Sequence, residues 1–337
     1  MSVVGIDVGT SYIVLAKEDS EGQISYVDFR DAFYVIKPTT PVATKMIEKG
    51  LAGKTFIKDS DGSFILLGKD AIEKAIERND KAKRPMHKGV VSAKEKNAKR
   101  ILAFILKEVA GQASEPDEKL VFCIPAQPVD QEDEDFDVGY HEDVVKTIFA
   151  ECGYQAKSIN EAEALCYAEL ENDDYTGIAV SCGAGMTNVC VMLNGEPTVM
   201  FSTTKSGDWI DRMSAVATGE NDSVVQVEKE GGGFTIGEPV ENNQVLAAVA
   251  AYYERLIDYT TKNLASALAS HKALPKFKEP LSIVVAGGTS QAKGYIEMFR
   301  KKMEENGFPV PIKEVRHASD PLHAVAKGCL IAAKVLG

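Results

Sequence analysis

The sequence predicts an α/β protein made of two similar domains facing one another, and two observations carry that prediction. Residues 3–16 read as strand, tight corner and strand, two apolar β-prone runs around Gly9-Thr10-Ser11. About 175 residues later, 177–192 repeats the plan around Gly183-Ala184-Gly185. Each pair is followed by a third strand, 23–29 and 196–203, so each half opens as a β-meander where a dinucleotide-binding unit would enter a helix at once.

The corners carry the chemistry. Small residues let successive backbone N–H groups approach an anion closely, and the Thr10 and Ser11 hydroxyls add donors. Asp7, at the end of the first run, aims a carboxylate at the same place, where it would repel a phosphate unless Mg²⁺ stood between them. A D-x-G-T run also suits an ordinary hairpin turn; related patterns recurring later in the chain, in a definite order, favour a site.

A chain of 337 residues has room for about two domains at roughly 100–200 residues each. With 45% hydrophobic and 26% charged residues it has the composition of a globular protein. Fifty acidic residues against 38 basic leave a net charge of −12, which argues against a general nucleic-acid-binding surface. No apolar run approaches the ~18–20 residues that cross a bilayer. Met1-Ser2 enter the first strand directly, so no signal peptide or amphipathic anchor is expected. Six scattered cysteines without C-x-x-C or metal spacing read as buried thiols in a reducing cytoplasm.

In chain order, 31–83 reads as a small α/β insertion with a strand at 64–68 and a helix at 70–78. Residues 84–90 form a returning loop. A helix over 93–110 buries Ala98, Ile101, Leu102, Ile105, Leu106 and Val109 on one face. A strand at 119–124 ends at Pro125, and 127–143 reads as an acidic loop. Its D-x-D-x-D run from Asp133 lacks the Gly and Glu of an EF-hand, with Val138 and Val144 at those places, so it reads as solvated. A helix from about Glu142 to Cys152 and a strand reaching Ile159 close the first half. The second half continues with a helix at 160–171, the second meander, and an insertion at 207–240 broken at Gly231-Gly232-Gly233. A long helix spans 241–271, its Tyr252, Tyr253 and Tyr259 read as packing because no basic stripe accompanies them. A buried strand runs into Gly287-Gly288-Thr289, a helix covers 291–305, and Asp320-Pro321 caps the last helix.

Five segments taken in order resemble the actin, heat-shock chaperone ATPase and sugar kinase superfamily: 5–11 and 180–188 as phosphate loops, 285–290 as the adenosine loop, and 159–162 and 320–328 as hinges. Arg84-Pro85-Met86-His87-Lys88-Gly89-Val90 is similar to a segment of MreB-type and magnetosome-type actins, and Gly207-Asp208 with Asp211 to their turn near the ribose. Chaperones carry a further domain after the second hinge, where this chain ends, and sugar kinases carry sugar-binding loops not found here.

The resemblance implies duplicated ribonuclease H-like (actin-like) domains, each a mixed five-stranded sheet with helices, and a nucleotide cleft between them. Domain I comprises 1–155 and 319–337 with 31–84 inserted; domain II comprises 156–318 with about 207–250 inserted. It implies ATP or ADP held by Asp7, Gly9, Thr10, Ser11, Ser181, Gly183, Ala184, Gly185, Thr187, Gly207, Asp208, Gly287, Gly288 and Thr289, with Asp7 orienting Mg²⁺ through water. Glu142, then Glu161, are the candidates to orient the attacking water. The implied protein is a cytoplasmic, head-to-tail filament-forming ATPase with a cargo or adaptor partner. The alternatives are a non-polymerising chaperone-like or adaptor ATPase and a small-molecule kinase. This chain departs from the pattern with Ser181 where most relatives have Asp, Met186 where they have Thr, and Ala162 where they have Pro. Serine brings no charge to Mg²⁺, so nucleotide binding is expected to persist and hydrolysis to be slow.

Overall fold

The computed structural model describes residues 3–131, 136–271, 277 and 279–336. Its first sheet starts with β1 (Val3–Val8), antiparallel to β2 (Tyr12–Glu18), which is antiparallel to β3 (Ile24–Arg30). The insertion follows as β4 (Phe33–Ile36), α1 (Pro41–Gly50), β5 (Phe56–Lys58), β6 (Phe64–Leu67) and α2 (Lys69–Glu77), its strands ordered β4-β6-β5. A short hairpin, β7 (Met86–His87) and β8 (Val90–Val91), leads to α3 (Ala98–Ala110). Then β9 (Lys119–Ile124) joins β1 in parallel, and after α4 (Val138–Glu151) the strand β10 (Gln155–Asn160) joins β9 in parallel.

The second half is built the same way. After α5 (Glu161–Glu169), β11 (Gly177–Cys182), β12 (Thr187–Leu193) and β13 (Glu196–Thr203) form an antiparallel meander. The helices α6 (Gly207–Thr218), α7 (Asp222–Gly231) and α8 (Gln244–Ser270) come next. They are followed by β14 (Leu281–Ala286), α9 (Tyr295–Glu305), β15 (Ile312–His317) and α10 (Ala324–Val335). The orders β10-β9-β1-β2-β3 and β15-β14-β11-β12-β13 are therefore one arrangement used twice. In that repeat Asp7 and Ser181 hold equivalent places, each two residues ahead of a corner glycine.

Each sheet has its own apolar core, and a third core of small residues lies between them. Ile6, Ile101, Phe122 and Phe149 belong to the first, and Val180, Ile257, Ile283 and Phe299 to the second. Each such side chain contributes about 1.5–3 kcal/mol on burial. The third joins α5 and α10 through Ala162, Ala164, Cys166, Cys329 and Ala333. A Cβ at Gly328 would lie 1.8 Å from the Ala164 carbonyl oxygen, so these helices touch backbone to backbone.

Several local readings change. α4 starts at Val138 because the Asp137 carboxylate accepts from the Tyr140 N–H at 2.8 Å, so the helix takes in residues read as loop. The acidic run Glu132-Asp133-Glu134-Asp135 lies outside the described residues. The last helix is capped at His323 instead of Asp320, whose carboxylate meets the Leu322 and His323 N–H groups at 3.3 and 3.4 Å and the His323 ring Nδ1 at 2.7 Å, one turn ahead. The edge strand β15 carries no strand signal in the sequence, since Ile312-Lys313-Glu314-Val315-Arg316-His317 is mostly polar. All six cysteines are free and buried, and among the described residues no helix is long and apolar enough to cross a membrane.

Candidate functional site

The two hairpin corners meet at a cleft of about 680 Å³. They are closed alike: the Gly9 N–H donates to the Tyr12 carbonyl at 3.1 Å and the Gly183 N–H to the Met186 carbonyl at 3.0 Å. A Cβ at Gly9 would lie 2.6 Å from the Tyr12 carbonyl oxygen. A Cβ at Gly185 would lie 2.4 Å from Thr10 Oγ1 and 2.9 Å from the Gly89 nitrogen. Thr10 Oγ1 accepts from the Gly89 N–H at 2.9 Å, tying the first corner to the β7–β8 hairpin.

Most of the residues expected at the site come together here. Asp7, Gly9, Thr10, Ser11, Glu161, Ser181, Gly183, Ala184, Gly185, Asp208, Gly287, Gly288 and Thr289 all line the cleft. Gly207 and Thr187 stand behind the wall. The Gly183 carbonyl accepts from the Gly207 N–H at 3.2 Å and from Thr289 Oγ1 at 2.7 Å, so the second corner rests on α6 and on the turn after β14. Thr187 is fully buried and donates to the Lys205 carbonyl at 3.0 Å. Glu142 does not line the cleft. It sits in the first turns of α4, half-buried, where Ser158 Oγ of β10 donates to it at 2.5 Å and Lys146 pairs with it one helical turn away.

Glu161 owes its place to local structure. Asn160 and Glu163 form a capping box that starts α5 immediately after β10, so Glu161 occupies the first helical position. Its Oε1 accepts from Ser181 Oγ at 2.6 Å and its Oε2 from Asn188 Nδ2 at 2.8 Å. Asn188 in turn accepts from the Ala126 N–H at 2.9 Å, so one buried amide links the ends of β9, α5 and β12. Burial, and then the charge of Asp7, push the Glu161 carboxyl up to about 8. Burial pushes Asp7 up to about 6, although Cys123 Sγ donates to its Oδ1 at 3.0 Å.

The charged groups over the cleft were less visible in the sequence. Arg84 Nη1 donates to Asp208 Oδ1 and Oδ2 at 2.8 and 2.9 Å. Burial acts to raise the Asp208 carboxyl, but the Arg84 charge and hydrogen bond outweigh it and hold it below its ordinary value. Arg30 lies over the Tyr12 ring at 4.5 Å and donates to Glu230 Oε1 at 3.0 Å. Lys229 pairs with Asp211 at 2.7 Å, and burial still pushes Asp211 up to about 6. Lys81 and Asp222 form a further ion pair. Of these groups the sequence marks only the Arg84–Val90 stretch and the acids of 207–211, because pairs between distant elements leave no local pattern.

Glycine corners that a Cβ would fill bring backbone donors where an elongated phosphate chain fits, and Asp7 and Glu161 supply hard oxygen ligands beside them. Among the described residues no group of three or more His, Cys, Asp or Glu could hold a metal ion. A cation here would thus take its remaining ligands from a bound anion and from water, as Mg²⁺ commonly does.

The fold recurs in solved structures. A MamK double helical filament matches with a TM-score of 0.72 at 19% identity, over 99% of this chain and 98% of that one. MreB5 of Spiroplasma citri bound to AMPPNP gives 0.68 at 14%, over 99% and 96%. The ethanolamine utilization protein EutJ from Carboxydothermus hydrogenoformans gives 0.57 at 16%, over 98% and 90%. At these identities the likeness establishes the actin-like fold. No curated protein matches the chain. Residues 1–333 match one family profile along almost their whole length, and the chain belongs to the Volactin family.

Proposed function

We propose that this protein binds ATP and ADP with Mg²⁺ in the cleft and assembles head to tail into cytoplasmic filaments, with slow hydrolysis controlling assembly. The observation that carries the reading is the contact of the two glycine corners at the mouth of one cleft. In this reading the phosphates lie between Gly9-Thr10-Ser11 and Gly183-Ala184-Gly185, and the adenosine lies against Gly287-Gly288-Thr289. Thr187 and Gly207 support the second corner from behind, and Asp208 closes the rim with Arg84. When bound, Mg²⁺ supplies charge neutralisation at the phosphates. Phosphoryl transfer to water then asks mainly for positioning. Of the two glutamates, Glu161 is the better candidate to orient the attacking water, because it lines the cleft.

The domain division that follows is 1–155 with 319–337 against 156–318, the stretches 31–84 and about 207–250 standing over the cleft as insertions. Two halves gripping one ligand relax when its terminal phosphate leaves, which couples nucleotide state to subunit affinity. Likeness over nearly the full length of a filament subunit supports self-assembly. The alternatives are a non-polymerising chaperone-like or adaptor ATPase on the same fold and a small-molecule kinase. Titration with a fluorescent ATP analogue, followed by sedimentation and negative-stain microscopy with ATP and Mg²⁺, tests both parts. Absence of adenine-nucleotide binding overturns the reading; binding without polymer selects the adaptor.

A further inference from the structure

One side chain staples the start of the last helix to the first sheet. The His323 ring lies flat on the Tyr26 ring of β3, with centroids 4.3 Å apart and planes 9° apart. Its Nδ1 faces Asp320 Oδ2 at 2.7 Å, and its Nε2 faces Asp28 Oδ1 and Oδ2 at 3.1 and 3.2 Å. A neutral imidazole carries a single N–H, so only the charged ring can donate to both carboxylates. Burial works against that charge, but the hydrogen bonds to Asp320 and Asp28 outweigh it and hold the ring's pKa above the ordinary 6.5. Burial acts to raise Asp320 as well, and the bond and charge of His323 hold it below its ordinary value. Tyr26 is raised by burial and then by the Asp320 charge, so it stays neutral. The nearby cations turn elsewhere: Arg30, next on the same face of β3, donates to Glu230, and Lys327, one turn along α10, to the Ala168 carbonyl.

The staple sits where the two halves meet. Pro321 and Leu322, just ahead of the ring, and Val325, just after it, line the cleft. The Gly287 N–H, from the turn after β14, donates to the Pro321 carbonyl at 2.9 Å. Residues 320–323 thus run from the second sheet to the first, fastened to one by a backbone bond and to the other by His323. When the ring loses a proton, one carboxylate loses its donor, and the charges of Asp28 and Asp320 face a neutral group. We propose that His323 is a positioning residue for the cleft, its charged ring fastening the Pro321–Leu322 wall to β3 and keeping the halves closed on a bound nucleotide. The proposal rests on the nucleotide reading and adds a regulation to it: the wall loosens, and nucleotide leaves faster, as rising pH discharges the ring.

The test follows release of a fluorescent ADP analogue from the full chain by stopped flow, between about pH 6 and about pH 8.5, a span that brackets the ring. Asp7, Glu161 and Asp211 also carry raised values, so the measure is the ratio of each variant to wild type. His323→Leu, which bonds neither carboxylate, should release about three- to tenfold faster than wild type at the acid end and no faster at the alkaline end. His323→Arg, whose charge persists, should match wild type at the acid end and release more slowly than it at the alkaline end. A merely structural role for the ring leaves both ratios flat. Asp28→Asn should lower the ring's own midpoint, which carbon NMR of the histidine rings reads without nucleotide. Flat ratios, or a midpoint that Asp28→Asn does not move, overturn the proposal and leave the nucleotide reading standing. A wild type that binds no nucleotide at any pH overturns that reading and the proposal with it. Circular dichroism melts identify a variant that fails to fold, and Asp28→Asn then decides.

Discussion

Thr10 and Gly185, from opposite halves of the chain, touch: a Cβ on residue 185 would lie 2.4 Å from the Thr10 hydroxyl oxygen. Nothing wider than a hydrogen fits between the corners there. Gly185→Ala should force them apart and weaken nucleotide binding by about tenfold or more, since displacements of an ångström at a positioned site are that costly. Thr10→Ser, which keeps the acceptor for the Gly89 N–H, should bind almost normally in the same titration.

Arg84 bridges the insertion of the first half to α6 of the second through both oxygens of Asp208. The pair is partly exposed, Arg84 at 19% and Asp208 at 35%. Arg84→Ala should therefore cost about 1–2 kcal/mol, the range for a charged hydrogen bond after a discount for solvent. Release of bound nucleotide, followed by stopped flow, should quicken in this variant and in Arg30→Ala, and wild type should approach them as salt rises.

His141 is fully buried on α4, and burial lowers its pKa from 6.5 to about 4. The folded protein thus holds a neutral ring while the unfolded chain takes up a proton below pH 6.5. Stability from this group is present above about 6.5 and is lost as pH falls toward 4, by about 2 kcal/mol at pH 5. Asp7, Glu161 and Asp211, with raised values, slope the other way, so the comparison must be between variants. Urea unfolding of wild type and His141→Leu at pH 7.5 and pH 5 should show the leucine variant gaining that amount at the lower pH.

Gly328 packs on the Ala164 carbonyl, where a Cβ would come within 1.8 Å. Gly328→Ala should separate α5 and α10 and destabilise the protein by about 1–3 kcal/mol, the ordinary cost of overpacking. A thermal melt reads it directly. If the melt does not move, the two helices are not in backbone contact.

The duplicated meanders were legible in the sequence because strand alternation and corner glycines are local signals, and so were the residues the corners bring to the cleft. What escaped notice was set by distance or by competition. Arg84–Asp208 and Arg30–Glu230 join residues 124 and 200 positions apart, which no window of sequence connects. Glu142 matched by position but does not line the cleft, its carboxylate being held by Ser158 and Lys146. The Ser181–Glu161 bond was unreadable for a different reason: a serine looks like a loss until the partner that uses it is in view.

The two halves share one strand order, but their matched corners differ in chemistry, with aspartate, threonine and serine at 7, 10 and 11 against serine, alanine and glycine at 181, 184 and 185. A perfectly symmetrical clasp would accept an elongated guest in either direction. This one is lopsided, so a guest with distinct ends enters one way round, and the molecule already has a front and a back before it meets a neighbour.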